Sequence, residues 1–329
     1  MNIAILDDYF DTLRNLSCFS ILDGYNVTVW NDHVEETDVL AERLADVDAL
    51  VLFRERTRIT GELLDKLPNL KLISQRSVYP HVDVEACTRN RILLCSNMHG
   101  GTPSYAAAEL TFGLILAAAR QIPQQMAALK SGTWQIGVGN TIQGKQIGIH
   151  SYGRIGKAVA GYAKAFGMKV VVWGGKESCQ AAKEDGFEVA EDRESFFATS
   201  DIVSLHIRLK PNTREIITQS DLAAMKPTSI LVNTSRAGLI ESGALLAALQ
   251  EGRPGMAAID VFDKEPITDG SDPLLKLPNV VATPHIGFVT EEEFDLQFSD
   301  IFDQIVAYDQ GQPIHMINPE VYPNQSPNR

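Results

Sequence analysis

No stretch of this 329-residue chain is apolar for long enough to cross a bilayer. The longest, Leu110 to Ala119, stops at Arg120, well short of the ~20 residues a spanning helix needs. Positive charge is scarce too. Lys and Arg number 29 against 42 Asp and Glu, so the formal charge is −13, spread without an acidic tail and poorly suited to nucleic acid or an anionic membrane. The four cysteines, Cys18, Cys87, Cys95 and Cys179, form no C-x-x-C pair or metal-ligand spacing, which predicts reduced structural thiols and no metal. The opening residues alternate like a strand and lack a basic region followed by an apolar core. No secretory signal is expected, and the cytoplasm is the expected location. Neither a solenoid-length repeat nor a low-complexity segment is found. What is present is 44% hydrophobic residues and 24 Gly, which at roughly 150 residues per domain predicts about two domains with real cores.

Short β-branched runs alternate with helical patterns from the start. Ile3 to Leu6, Val27 to Trp30, Leu50 to Phe53, Leu70 to Ser74 and Ile92 to Ser96 read as strands, separated by helical segments such as Val39 to Ala45. Such alternation predicts a parallel sheet covered by helices, because a parallel crossover needs a connection long enough to hold one. Thr102-Pro103 then offers an N-cap and a first-turn proline, predicting a long apolar helix through Arg120. A second series follows, with strands at Gln146 to His150, Lys169 to Trp173, Glu188 to Ala190, Ile202 to His206, Ser229 to Asn233, Met256 to Val261 and Val280 to Ala282. These predict a large doubly wound sheet. Glu291 to Tyr308 reads as another long helix, and the tail from Asn318 to Arg329 as a strap or a frayed end.

The segment Gly144-Lys-Gln-Ile-Gly-Ile-His-Ser-Tyr-Gly-Arg-Ile-Gly156 runs a strand into a tight turn and a helix, where backbone N–H groups and the helix dipole meet a pyrophosphate. Against the dinucleotide pattern G-x-G-x-x-G, Gly153 and Gly156 are present and Ser151 stands first. Ser151, Tyr152, Gly153, Arg154 and Ile155 are therefore candidate cofactor contacts. The acidic residue that grips an adenosine ribose belongs at the tip of the next strand, and there the chain has Gly174. With no carboxylate to repel a 2′-phosphate, and with Lys176 and Ser178 nearby, NAD and NADP stand nearly even, with a slight lean to NADP. Lys176 has the alternative of being a solvated charge, and Glu177 that of serving NAD.

Three further segments, Val232-Asn-Thr-Ser-Arg-Ala-Gly-Leu-Ile240, Asp260-Val-Phe-Asp-Lys-Glu-Pro266 and Thr283-Pro-His-Ile-Gly287, follow the phosphate loop in fixed order. In this combination the chain resembles the D-isomer-specific 2-hydroxyacid dehydrogenase family along its whole length, and within it the short 3-phosphoglycerate dehydrogenase-like proteins that lack a regulatory domain. The resemblance implies an α/β fold of two doubly wound parallel-sheet domains. A Rossmann cofactor domain (102–288) is inserted into a flavodoxin-like substrate domain (1–101 plus 289–329), with the chemistry in the cleft. It implies an NAD(P)-dependent oxidoreductase acting between a 2-keto acid and a D-2-hydroxy acid, of the 3-phosphoglycerate, hydroxypyruvate/glycerate or glyoxylate type. It also implies a homodimer built on the Thr102 to Arg120 region.

Carried over by resemblance, Arg236 anchors the substrate carboxylate, His285 is the acid/base and Glu265 orients it. The chemistry asks for these types independently. A planar guanidinium binds a carboxylate with paired donors, and an imidazolium beside a carboxylate can protonate the carbonyl oxygen as hydride arrives. The resemblance matches Asp260 to the residue that bonds the nicotinamide carboxamide. Thr234, Ser235, His206 and Ile207 match positions lying along the cofactor, and Thr213 and Gly287 are further candidate contacts. Arg208, where the family usually has proline, either adds charge near the adenosine end or points to solvent. In the first domain the family's glycine-rich substrate loop corresponds to Gln75-Arg-Ser-Val-Tyr-Pro-His-Val-Asp83, which has no glycine. Ser77 and Val78 are the candidate N–H donors. Arg54 matches an arginine that reaches the substrate phosphate, the alternative for it and Arg56 being an ion pair with Glu55 or Glu62. Two rivals remain on the same fold: a nucleotide-sensing scaffold in the manner of the family's corepressors, and an enzyme weakened by Ser151 and the glycine-free loop.

Overall fold

The computed structural model describes residues 1–98 and 104–322. It divides into two compact units, Met1–Pro103 with Thr290–Arg329, and Ser104–Val289.

In the first unit, β1 (Asn2–Ile5), β2 (Asn26–Val29), β3 (Ala49–Val51), β4 (Leu72–Arg76) and β5 (Leu93–Asn97) form a parallel sheet in the order β2-β1-β3-β4-β5. β3 is buried on both faces and reads as a continuous apolar run, while β4 starts apolar and buries the polar side chains of Ser74 and Gln75 further along. The Glu291–Asp309 helix lays one stripe, Phe294, Phe298, Ile301, Phe302 and Ile305, into this unit's core. Phe53 meets Phe294 and Phe298 at ring-centroid distances of 5.1 and 4.9 Å. Each such ring, fully buried, stabilises by roughly 1.5–3 kcal/mol. Thr290 caps the helix by accepting from the Glu293 N–H. The chain then returns beside β5, where Asn318 accepts from the Leu94 N–H and donates to the Ile92 carbonyl, so the tail is a strap as far as Tyr322. Residues 323–329 of the expected tail lie outside the described residues.

In the second unit, β6 (Gln146–His150), β7 (Lys169–Trp173), β8 (Glu188–Val189), β9 (Ile202–Leu205), β10 (Ile230–Asn233), β11 (Met256–Ile259) and β12 (Val280–Ala282) form a parallel sheet ordered β12-β11-β10-β9-β6-β7-β8. All seven expected strands are present. The order reverses between β6 and β9, and the crevice beyond the carboxyl ends of two such strands is where doubly wound sheets bind ligands. The Ala106–Ala119 helix buries Ala108, Thr111, Phe112, Leu114, Ile115, Ala118 and Ala119, which accounts for its nearly uniform apolarity. Thr102-Pro103, the expected start of this helix, lies outside the described residues, and the helix itself begins later than expected, at Ala106 with Tyr105 as its N-cap. A helix that periodicity did not announce, Ile122–Lys130, follows it with no buried residue. All four cysteines are free. No described helix is long and apolar enough to cross a membrane.

Candidate active site

The phosphate loop leaves β6 through Ser151, whose φ of +78° is a left-handed conformation that favours glycine. That explains why the pattern has glycine here, and Ser151 adopts the turn regardless, donating its N–H to the Trp173 carbonyl. Gly156 is required by close approach: a Cβ there would sit 2.3 Å from the Ser151 carbonyl oxygen. At Gly153, the N-cap of the Arg154–Ala165 helix, a Cβ would meet nothing within 4 Å, so the space over the loop is open. The first N–H groups of that helix lack intrahelical acceptors and carry its positive dipole end, and together with the open cradle they fit a pyrophosphate. Arg154 and Ile155 supply those amides. Tyr152 does not, because its N–H donates to Ser178 Oγ and its hydroxyl to Asp185, 2.9 Å away.

At the tip of β7, Gly174 brings no side chain. A Cβ there would lie 3.1 Å from Ser178 Oγ. Ser178 therefore buttresses the loop, while exposed Lys176 opens the Lys176–Glu184 helix and adds positive charge at its amino end. After β9, the His206 N–H donates to the His150 carbonyl and its Nε2 lies 2.9 Å from Ser204 Oγ, while burial pushes its imidazole down to about 3. The Ile207 carbonyl accepts from Ser235 Oγ at 2.6 Å. Arg208 is exposed, and Thr213 closes its turn by donating to the Arg208 carbonyl.

The turn after β10 is locked by Asn233, whose side chain accepts from the Ser235 N–H and donates to the Arg236 carbonyl. Thr234 Oγ1 lies 2.6 Å from Thr111 Oγ1 on the Ala106–Ala119 helix. Beyond β11, Asp260 is fully buried and accepts from Thr283 Oγ1 at 2.6 Å and from the Ile286 and Gly287 N–H groups at 2.8 Å. Burial pushes its carboxyl up against those three donors. Asp260 and Gly287, both expected at the cofactor, thus bond to each other and anchor the loop that carries His285.

His285 has a φ of +52°, and its Nδ1 stands 2.5 Å from Glu265 Oε2. The other Glu265 oxygen accepts from the Phe262 N–H. Burial works to raise the Glu265 carboxyl, but the His285 hydrogen bond and charge, the Phe262 N–H and the Arg236 charge hold it below the ordinary carboxylate value. Arg236 and His285 are therefore both within electrostatic reach of Glu265, beyond the carboxyl ends of β10 to β12.

In the first unit, Arg54 and Ser77 adopt φ of +61° and +78° just beyond β3 and β4. Ser77 takes the conformation that a glycine-rich loop would supply. Its N–H, however, donates to the Asn97 carbonyl at 3.0 Å, so of the two expected donors only the Val78 N–H makes no bond among the described residues. Arg56 donates to the Asp7 carbonyl and stacks on Tyr9 and Phe53, and Glu62 pairs with Lys66.

A family model described as the D-isomer specific 2-hydroxyacid dehydrogenase, NAD binding domain, matches residues 112–287, nearly the whole second unit. The chain belongs to that family. It is 36% identical over 315 residues to a glyoxylate reductase of Thermococcus litoralis, covering 92% of this chain and 93% of the relative. It is 41% identical over 256 residues to a D-3-phosphoglycerate dehydrogenase of Methanocaldococcus jannaschii, covering 77% of this chain and 48% of that one. The solved structure of a phosphoglycerate oxidoreductase from Vibrio cholerae superposes with a TM-score of 0.90 at 46% identity, covering 94% of this chain and 99% of the other. As a 2-hydroxyacid dehydrogenase the protein has an NAD-binding domain on its seven-stranded sheet. Motif matching did not single out Asn233 or Thr111, which touch the turn that carries Arg236, whereas Ser178, expected beside the adenosine ribose, accepts from the Tyr152 N–H of the phosphate loop. Of the first two, Asn233 alone had a signal, an Asx residue at a strand end two positions before a loop N–H.

Proposed function

We propose that this protein reduces a small 2-keto acid to its D-2-hydroxy acid and catalyses the reverse. The observation that carries the reading is the His285–Glu265 pair, 2.5 Å apart, with the Arg236 charge beside it. The nicotinamide cofactor, when bound, supplies or accepts the hydride. Arg236 binds the carboxylate and polarises the carbonyl through paired guanidinium donors. His285 donates a proton to the carbonyl oxygen during reduction and removes it during oxidation. Glu265 stays ionised, holds the Nδ1 proton and leaves Nε2 to exchange with substrate. The Val78 N–H receives the substrate carboxylate, and Arg54 serves a second anionic group.

For the cofactor we infer that NADP is accepted alongside NAD, because Gly174 offers no carboxylate and Lys176 stands at a helix amino end. Glyoxylate, hydroxypyruvate and 3-phosphohydroxypyruvate assayed with NADH and NADPH test both inferences. Turnover of none of them overturns the reading, and an NADH preference of a hundredfold or more overturns the cofactor inference. We also infer a homodimer. Its support is the uncovered stripe Ile122, Met126 and Leu129 beside Trp134 and Val138, which are 79% and 92% exposed, an arrangement suited to a second copy. A monomer by sedimentation at micromolar concentration would contradict it.

A further inference from the structure

We infer that Gln75 and Ser96 are positioning residues that aim the Val78 N–H at the substrate carboxylate. The inference rests on the function proposed above. Gln75 lies on β4 and Ser96 beside it on β5, and both side chains are buried. Gln75 Nε2 donates to the Ser77 carbonyl at 2.8 Å, and Ser96 Oγ donates to the same oxygen at 2.7 Å. Gln75 Nε2 also donates to Ser96 Oγ at 2.8 Å, closing the triangle. On the other side of the residue, the Ser77 N–H is taken by Asn97. Ser77 is thus fixed at both of its peptide groups, which is how a non-glycine residue is kept at a φ of +78°.

The consequence follows from peptide geometry. The Ser77 carbonyl and the Val78 N–H belong to one planar trans peptide and point in opposite directions. Donors reaching that carbonyl from β4 and β5 turn the Val78 N–H away from the strands. Two donors on the carbonyl also polarise the peptide and strengthen its N–H as a donor. The C-terminal helix secures the arrangement from behind: Gln304 Nε2 donates to the Gln75 carbonyl and to Ser74 Oγ, and Ser74 Oγ donates to the Ile301 carbonyl. Gln75 Oε1 is buried and has no partner, so a methionine at this position removes only donors.

The test compares wild type, Gln75→Met and Ser96→Ala, each first shown to be folded by circular dichroism and to bind NADH with unchanged affinity. With glyoxylate as probe, Gln75→Met should raise KM on the order of tenfold, the size of one hydrogen bond to a charged group, and leave kcat within a few-fold. Ser96→Ala should shift KM in the same direction by less. In the full chain labelled with 15N-valine, oxalate should move the Val78 amide resonance in wild type and move it less in either variant. A folded Gln75→Met or Ser96→Ala protein with wild-type KM and an undiminished Val78 response overturns the inference. If wild type reduces no 2-keto acid, the proposed function fails separately, and the oxalate response of Val78 alone decides where this amide points.

Discussion

Thr111 and Thr234, 123 residues apart in sequence, bring their hydroxyls to 2.6 Å. Thr111 is fully buried on the Ala106–Ala119 helix, so the contact fastens the turn after β10 to the core of its unit. The Asn233 side chain fastens the other edge of the same turn. Arg236 therefore projects from a backbone fixed on both sides, which suits a guanidinium that must meet a planar carboxylate with paired bonds.

Arg236→Lys should lose activity on the order of 10²-fold or more in kcat/KM while NADH affinity survives. An ammonium point charge cannot reproduce the planar fork, and a positioned electrostatic group is typically worth that much. Steady-state kinetics beside a fluorescence titration of NADH check it. Near wild-type turnover would remove Arg236 from the chemistry.

Ser151→Gly should stabilise the second unit by about 1 kcal/mol, since a left-handed conformation costs a side-chain-bearing residue roughly 1–2 kcal/mol and glycine little. A Tm higher by a few degrees with cofactor affinity retained is the expected result. A lower Tm would mean that the serine contributes a bond outweighing its backbone strain.

Much of this architecture was legible from residue order because central parallel strands, buried on both faces, appear as short runs dominated by aliphatic residues, as at β3 and β10, and each of the twelve strands overlaps one that the alternation predicts. The Ile122–Lys130 helix was not, since it buries nothing and its apolar residues give no inward stripe to detect. At the site, Arg236, Glu265 and His285 were legible as types in motifs, and the structure brings them together. Ser77 and Val78 were indistinguishable in sequence, because which amide is spent depends on the Asn97 carbonyl one strand away. The motif around Asp260 points to the cofactor and carries no sign of the three donors from the loop after β12 that meet it in the fold. Such pairings depend on strand order and on no local spacing.

Acid should destabilise both units well above the carboxylate range. His81 in the first unit and His150 in the second are buried with no partner at either ring nitrogen, and burial pushes each from 6.5 down to about 4. Between those values the unfolded chain binds more protons than the folded one, so stability is full near neutrality and falls as pH drops through 6.5 toward 4. At pH 5 each ring accounts for a loss of roughly 2 kcal/mol. Urea midpoints at pH 7 and pH 5 measure it. His150→Phe, placed against Phe196 and Phe197, should reduce the pH dependence of the second unit. Equal midpoints at the two pH values would show that these rings ionise freely in the fold.

The most direct measurement is the pair of pH profiles, reduction of glyoxylate and oxidation of the corresponding hydroxy acid, taken where a deuteride isotope effect shows hydride transfer to limit the rate. If His285 exchanges the proton and Glu265 favours its charged form, reduction requires imidazolium and falls as pH rises, while oxidation requires neutral imidazole and rises. Glu265→Gln should move the alkaline limb of reduction to lower pH with NADH binding intact, and His285→Ala should depress both directions at every pH. A limb that stays where it is in Glu265→Gln, or a His285→Ala enzyme with ordinary turnover, would contradict the account.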